Sequence, residues 1–285
     1  MALVLSEKSV GYQDIARSIA AELERTGLPS GEVVQLAGTD LQPGEVTLPQ
    51  AKVIVTLGAD ALRRVLAQDT RLPVIASLLP KSSFDRLVRE NSRKPAGSIT
   101  AVYLDQPFGR RVELLRLVLP DAKRVGVLWG PDSVSSQSSL NQALQARGLT
   151  AESSVVSEPG GLFGGLKVVL EDADVLMAVA DPLVYSSSTI ANVLLTTYRA
   201  RIPVLAFSPA YVKAGALLAI YATPQQIGLQ TAGLVRQVLQ GGVWPAPQYP
   251  VEFEISVNDH VARSLGLKID TRSLTERLLM AGKRP

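Results

Sequence analysis

The sequence predicts an α/β protein made of two similar lobes with parallel sheets. Two stretches, Ala51–Phe84 and Ala173–Tyr211, repeat one order of elements: an apolar strand, a short loop, a helix, and a second strand that begins R-[LI]-P-V-[IL]-A. Their first strands, Val53–Val55 and Val175–Val179, are nearly continuous apolar runs, which are typical of parallel strands covered by helices on both faces. A chain of 285 residues also exceeds the usual size of one domain, so two lobes are favoured.

Apolar runs bounded by turn residues place the strands along the chain. The predicted strands are Ala2–Leu5, Glu32–Leu36, Val53–Leu57, Leu72–Ser77, Ser98–Leu104, Arg124–Trp129, Ala151–Val156, Val175–Val179, the R-I-P-V-L-A segment and Leu217–Ala222, with Tyr249–Val257 as a further extended segment. Ile15, Ile19 and Leu23 recur every four residues and predict a helix that ends at Gly27. The predicted helices are Gln13–Arg25, Gly58–Leu66, Phe108–Leu119, Ser138–Arg147, Leu162–Leu170, Gln225–Leu239, Asp259–Leu265 and one that starts at Leu274.

The order of these elements predicts that the chain passes between the lobes three times. The crossings fall near Ser98–Asp105, Tyr221–Pro224 and Tyr249–Asn258. The N-terminal lobe is therefore expected to contain residues 1–100 and 223–250, and the C-terminal lobe residues 101–222 and 251–285. Three connecting segments make a hinge with restricted motion.

The composition excludes several classes of protein. With 46% hydrophobic and 19% charged residues, the chain is neither disordered nor fibrous. The formal net charge is only +3, and Lys and Arg are scattered singly, so nucleic acid is not an expected partner. Cysteine is absent, which excludes disulfides and thiolate chemistry. No apolar run is long enough to span a bilayer, and Leu3–Leu5 is too short for the apolar region of a signal peptide.

The sequence gives little support to catalysis. The single histidine, His260, follows Asn258 and Asp259, and its simplest role is at a helix start or on the surface. No G-x-S-x-G or G-x-x-x-x-G-K-[ST] motif is present, and the loop after the first strand reads SEKSVG rather than G-x-G-x-x-G. A non-enzymatic protein without cofactor or metal is therefore expected, and a cytoplasmic Rossmann-type enzyme is disfavoured.

Four segments resemble the ABC-transporter substrate-binding family, in the branch that includes binders of aromatic amino acids. They are Arg111–Ser133, the apolar strand that ends in Asp181, Ala214–Gly242 and Val257–Leu267. The similarity covers most of the chain from about Val53 and is strongest from Ser98 onwards. It implies the type I periplasmic-binding fold, in which two Rossmann-like lobes close on a small ligand.

The resemblance also implies a function. A non-catalytic, extracytoplasmic protein would close on an amino acid or related zwitterion and deliver it to an ABC permease in the inner membrane. It would be a periplasmic monomer whose signal peptide has been removed. The alternative is a ligand-sensing module of a receptor or regulatory system, because the same fold serves both roles. Neighbouring permease and ATPase genes would favour transport, whereas neighbouring kinase or regulator genes would favour sensing.

The implied fold locates the ligand in the loops that follow the strands, because crevices lie outside the carboxyl ends of parallel strands. Helix starts there favour a carboxylate, Asp181 suits an ammonium, and tyrosines supply flat apolar walls. The candidate ligand-binding residues are Ser6, Ser9, Tyr12, Gly58, Ala59, Ser77, Tyr103, Ser133, Ser135, Asp181, Tyr185, Ser208 and Tyr221.

Six of these candidates also have a purely structural interpretation. Ser133 and Ser135 can serve as helix caps without touching ligand. Gly58 can permit a tight turn, and an Asp-Pro pair such as Asp181-Pro182 is common at helix starts. Tyr103 and Tyr221 lie in the predicted crossings, so packing within the hinge is an alternative for both.

Overall fold

The computed structural model describes residues 1–29, 31–41, 51–68, 70–91, 99–241 and 243–281. They form two compact units, each assembled from two stretches of chain. Unit 1 comprises Met1–Asp105 and Ala222–Phe253, and unit 2 comprises Gln106–Tyr221 and Glu254–Pro285. The predicted limits at residues 100, 222 and 250 correspond to limits at residues 105, 221 and 253 in the structure.

Unit 1 is a five-stranded parallel sheet in the order β2-β1-β3-β4-β5. Its strands are β1 (Ala2–Leu5), β2 (Val34–Ala37), β3 (Ile54–Leu57), β4 (Val74–Leu79) and β5 (Ile99–Tyr103). Its helices are α1 (Val10–Arg25), α2 (Ala59–Leu66), α3 (Lys81–Glu90) and α9 (Pro224–Leu239). The helix α9 belongs to the second stretch of chain in this unit, Ala222–Phe253, and it packs against α1 and β4.

Alternation along the strands of unit 1 explains why helices cover both faces of this sheet. Leu3 and Leu5 pack on one face in a cluster that includes residues of α1 and α9, whereas Val4 packs on the other face with residues of α2 and α3. Successive side chains of a strand point to opposite faces, so a continuous apolar strand needs cover on both. Each fully buried leucine or isoleucine contributes about 2 kcal/mol.

Unit 2 is a six-stranded sheet in the order β11-β10-β9-β8-β6-β7. Its strands are β6 (Arg124–Trp129), β7 (Thr150–Val155), β8 (Val175–Met177), β9 (Val204–Ala206), β10 (Leu218–Tyr221) and β11 (Glu254–Val257). Its helices are α4 (Phe108–Val118), α5 (Gln137–Gln145), α6 (Leu162–Asp172), α7 (Ile190–Arg199), α8 (Pro209–Ala214), α10 (Asp259–Ser264) and α11 (Thr271–Ala281).

The predicted architecture of two α/β lobes is confirmed, with three local corrections. No helix was predicted between the strands Leu72–Ser77 and Ser98–Leu104, but β4 continues to Leu79 and Lys81 begins α3, in which Phe84 and Leu87 supply the buried face. The segment that includes Ile99–Tyr103 is a full sheet strand, so the crossing follows it; Ser98 lies outside the described residues. The sheet of unit 2 is not wholly parallel, since β11 pairs with β10 in the antiparallel sense.

No helix in the described part of the chain is both long enough and apolar enough to cross a membrane.

Within the described residues, five helices end with a residue at positive φ and two backbone hydrogen bonds back into the last turn. In α1, α5, α8 and α10 that residue is a glycine: Gly27, Gly148, Gly215 and Gly266. In α7 it is Arg201, at φ 57°. The Arg201 N–H donates to the Tyr198 carbonyl at 3.0 Å, and the Ile202 N–H donates to the Thr197 carbonyl at 2.9 Å, the bonds of a Schellman motif.

We expect Arg201→Gly to stabilise unit 2 by up to about 1 kcal/mol. A side chain in the left-handed region costs about 1–2 kcal/mol, and the greater freedom of an unfolded glycine offsets part of that gain. Urea unfolding of the two proteins measures the difference. The matched control is Gly148→Arg in the same motif of α5, which we expect to lower stability by about 1 kcal/mol. An Arg201→Gly protein less stable than the parent would contradict this account of the α7 terminus.

Candidate ligand-binding site

The strand orders place one crevice in each unit. In unit 1, the chain runs from β1 to β2 on one side and from the neighbouring strand β3 to β4 on the other, and in unit 2, it runs from β6 to β7 on one side and from the neighbouring strand β8 to β9 on the other. Where consecutive connections leave in opposite directions, the loops at the carboxyl ends of the strands separate and leave a crevice. The crevices therefore lie beyond β1 and β3 in unit 1, and beyond β6 and β8 in unit 2.

Three of the predicted residues meet at the crevice of unit 1, and we call them the Ser6 cluster: Ser6, Tyr12 and Gly58. Ser6 Oγ accepts a hydrogen bond from the Ala61 N–H at 3.0 Å and is also hydrogen-bonded to the Tyr12 hydroxyl. A Cβ atom at Gly58 would lie 2.5 Å from both Ser6 Oγ and the Tyr12 hydroxyl oxygen, and Gly58 has φ 93°. Glycine is needed here for space as well as for backbone conformation.

Tyr12 gives the crevice of unit 1 a neutral, amphipathic wall. Its side chain is half-buried, and this burial raises its pKa, although the hydrogen bond with Ser6 acts in the opposite direction. The phenol is therefore protonated at physiological pH. It presents a ring for apolar contact and a hydroxyl for hydrogen bonding.

The other predicted residues of unit 1 have different surroundings. Ser9 precedes α1 and Ala59 is the first residue of α2, so both lie at helix starts. Ser77 is fully buried, and its Oγ is 2.8 Å from Thr231 Oγ1 of α9. Tyr103 packs edge to face on Phe84 and Tyr249, with ring centroids 5.7 and 5.2 Å away. Ser77 and Tyr103 thus stabilise the interior of unit 1, and we leave them out of the proposed site.

Asp181 organises the crevice of unit 2. Its side chain is 3% exposed. Oδ2 accepts hydrogen bonds from the Asp132 and Ser133 N–H groups at 3.0 and 2.9 Å, and Oδ1 accepts one from the Leu183 N–H at 3.0 Å. A Cβ atom at Gly130 would overlap this carboxylate. The carboxylate therefore joins the loop after β6 to the loop after β8, and we assign it a structural role in place of the predicted ammonium contact.

The serines predicted in unit 2 fall into two groups. Ser133 is fully buried, and its Oγ accepts from the Gly130 N–H at 3.0 Å, so it belongs to the Asp181 loop junction. Ser135 is exposed on the same loop. Ser208 caps α8, since its Oγ accepts from the Ala210 N–H at 3.2 Å. Of the three, Ser135 and Ser208 keep some exposure and remain candidates for ligand contact.

Tyr221 lies in the sheet of unit 2, as the last residue of β10. Its hydroxyl donates to Glu254 Oε2 at 3.2 Å, and Glu254 is its partner on the antiparallel strand β11. Burial raises the pKa of Tyr221, and the bond to Glu254 acts in the same direction. The ring is thus held by a cross-strand pair.

Three aromatic rings collect at the carboxyl ends of β8 and β9, and we call them the aromatic cluster: Tyr185, Phe207 and Tyr211. The Phe207 centroid lies 6.0 Å from that of Tyr185 and 5.0 Å from that of Tyr211, both in edge-to-face geometry. The Tyr211 hydroxyl donates to the Tyr185 carbonyl at 3.1 Å. Tyr185 is buried, whereas Phe207 and Tyr211 are half-buried and present apolar surface.

Sequence reasoning missed Phe207, Tyr211 and Arg111. Phe207 directly follows β9, so its position at a strand end was the available signal. Arg111 gave no signal, because an arginine in an amphipathic helix is normally exposed. Here it is 4% exposed and donates to the Ala178 carbonyl at the end of β8. Burial raises the pKa of Tyr185, and the positive charge of Arg111 opposes that shift.

The family model described as ABC transporter substrate binding protein matches residues 47–277. The chain belongs to this family. A curated relative of this member, the tyrosine-binding protein of Clostridioides difficile (strain R20291), is 23% identical. That match covers 69% of this chain and 58% of the relative, so the chain spans less than two thirds of that protein's length.

Solved structures with the same architecture align with nearly all of this chain. One is an ABC domain in complex with L-Trp from Streptococcus pneumonia, with a TM-score of 0.67, 19% identity, and coverage of 96% of this chain and 97% of that one. Another is a ligand-free, open substrate-binding protein from Clostridium difficile, with a TM-score of 0.69, 18% identity and coverage of 95% of each chain. At these identities the likeness establishes the fold, which is that of type I periplasmic-binding proteins.

We expect Asp181→Ala to destabilise unit 2 of this family member by about 3 kcal/mol or more. The substitution leaves three N–H groups without their charged acceptor, and a hydrogen bond to a charged group contributes about 1.5–3 kcal/mol. Chemical denaturation followed by tryptophan fluorescence measures the loss, because Trp129 ends β6 beside this junction.

The control for Asp181→Ala is Ser135→Ala, which removes an exposed hydroxyl from the same loop. We expect that variant to stay within about 0.5 kcal/mol of the parent protein. An Asp181→Ala protein with the same small change would show that the carboxylate does not hold the loops together.

Proposed function

We propose that this protein is the extracytoplasmic solute-binding component of an ABC transporter, and that its ligand is an amino acid with an aromatic side chain. The observation that carries the proposal is the aromatic cluster at the carboxyl ends of β8 and β9. Two of its rings, Phe207 and Tyr211, keep exposed surface at the edge of the sheet where this fold places ligands. No catalytic step is part of the proposal.

The two units offer complementary chemistry to such a ligand. In unit 1, the Ser6 cluster lies beside the first turn of α2, where backbone N–H groups and the helix dipole favour a carboxylate. In unit 2, Phe207 and Tyr211 supply apolar surface for an aromatic side chain by edge-to-face or offset contact. The names of the tyrosine-binding relative and of the L-Trp complex support this choice of ligand class.

Delivery to a permease requires that ligand binding change the shape of the protein. We propose that the units close on the ligand and that a permease in the inner membrane recognises the closed state, with the protein acting as a periplasmic monomer. Closure removes the aromatic side chain from water, and this burial supplies the free energy that favours the closed state. The three chain crossings are the segments that would flex.

Ligand binding is tested by isothermal titration calorimetry with L-Trp, L-Tyr, L-Phe and L-Leu. We expect the aromatic amino acids to bind, and Phe207→Ala to weaken that binding by about tenfold or more, since an aromatic contact contributes about 0.5–1.5 kcal/mol beyond its buried area. The matched control is Phe163→Ala, which removes an exposed ring from α6, and it should bind like the parent protein. Equal affinity of the parent and Phe207→Ala would remove the aromatic cluster from the site.

Gly58→Ala tests the contribution of unit 1. The added methyl group would overlap Ser6 Oγ and the Tyr12 hydroxyl, and we expect it to displace both and abolish measurable amino-acid binding. Gly109→Ala is the control, because a Cβ atom there has open space. If Gly58→Ala binds as the parent does, the carboxylate is held elsewhere.

Closure is tested by small-angle X-ray scattering. We expect saturating L-Trp to reduce the radius of gyration, because closing two units around hinge segments makes the molecule more compact. A radius that stays constant although calorimetry detects binding would argue against closure and would leave the ligand assignment standing.

A further inference from the structure

A groove lies at the amino edge of the unit 2 sheet, the edge opposite to the aromatic cluster. It is formed by the last turns of α7, the start of β9 and the second half of α10. Its volume is about 520 Å³, which lies within the range of small-molecule sites. Residues that define it are Leu194, Tyr198, Arg199, Arg201, Pro203 and Leu265.

The lining of this groove combines apolar surface with positive charge. Leu194 and Pro203 are buried and form apolar wall, and the ring of Tyr198 is 63% exposed. Arg199 and Arg201 are exposed, and no aspartate or glutamate is among the lining residues. Within the described chain, neither guanidinium forms a salt bridge. The groove therefore suits a molecule with an apolar body and one anionic group.

The backbone at Arg201 is a second, independent observation. Arg201 closes α7 at φ 57°, in the position that Gly27, Gly148, Gly215 and Gly266 occupy in other helices of this chain. Glycine would close the helix with less strain, so helix termination does not explain an arginine here. Strained residues of this kind cluster at functional sites, and this one holds a guanidinium beside the groove.

We propose that the groove is a second ligand site, which binds a small carboxylate with an apolar body. The guanidinium of Arg201 pairs with the carboxylate in bidentate geometry, and Arg199 adds a second positive charge beside it. The apolar body lies along Leu194, Pro203 and Leu265, against the face of Tyr198. The site is separate from the carboxyl-edge residues and does not depend on the amino-acid ligand proposed above.

The probe is octanoate, titrated into ¹⁵N-labelled protein and followed by two-dimensional NMR. We expect saturable shifts at the backbone amides of Thr197, Tyr198 and Leu265. The neutral analogue 1-octanol should bind at least about tenfold more weakly, because it lacks the charge that Arg201 pairs with. Arg201→Gly should weaken octanoate binding at least about tenfold, and Arg201→Lys, which keeps the charge, should weaken it less than Arg201→Gly does.

These variants separate loss of binding from loss of folding. Arg201→Gly relieves backbone strain, so its melting temperature should equal or exceed that of the parent, and its affinity for an aromatic amino acid should not change. The proposal is overturned by unchanged octanoate affinity in Arg201→Gly, by equal affinity for octanoate and 1-octanol, or by shifts confined to Phe207 and Tyr211. The last result would place octanoate at the carboxyl edge instead.

Discussion

In a parallel sheet every strand ends at the same edge, and this constraint determines which loops of each unit can meet. The loops after β1 and β3 in unit 1, and those after β6, β8 and β9 in unit 2, come together although they are far apart in sequence. Helices that start at this edge bring backbone N–H groups to it. A polar crevice at the carboxyl edge is therefore a property of the strand order, and the side chains determine what it can bind.

The two units present different chemical groups at the carboxyl edge of their sheets. In unit 2, the buried carboxylate of Asp181 accepts hydrogen bonds from three backbone N–H groups in the loops after β6 and β8. These bonds satisfy its negative charge within the protein. In unit 1, the edge carries the neutral hydroxyls of Ser6 and Tyr12 and a glycine that leaves room beside them. The proposal therefore assigns the carboxylate of the amino acid to unit 1 and its side chain to the aromatic cluster of unit 2.

The fold could be predicted from the sequence largely because its strands are continuous apolar runs. β1 and β6 have the predicted limits, and the other strands that the sequence indicated differ by a few residues at their ends. The helix α3 was missed because its sequence is mostly polar and only Phe84 and Leu87 mark its buried face. The strand β11 lies within the predicted extended segment Tyr249–Val257, but its antiparallel direction was missed because alternation in a crossing segment carries no information on strand direction.

The candidate site was less predictable, because residue type and loop position do not specify where a side chain points. Ser6, Tyr12 and Gly58 meet as a strand-end site requires, since β1 and β3 are neighbours. Ser77 was predicted to end a strand, but it lies within β4, and its hydroxyl turns inward to Thr231, a residue 154 positions away. Only the tertiary packing of α9 reveals that partner. Asp181 was predicted to follow an apolar strand, but its three N–H donors depend on loop conformations that have no sequence signature.

Arg201 illustrates how a departure from a local rule can carry information that the hydrophobic pattern lacks. Among the described residues, five helices (α1, α5, α8, α9 and α10) end in glycine at positive φ, which shows that the fold has no difficulty in using glycine there. In contrast, α7 retains an arginine at positive φ, beside a groove lined by apolar side chains and a second arginine. Local and global preferences agree along most of a well-folded chain, and their conflicts concentrate where function imposes another requirement. The strain at Arg201 and the positive charge of the groove are therefore most simply explained together, by an anionic ligand at the amino edge.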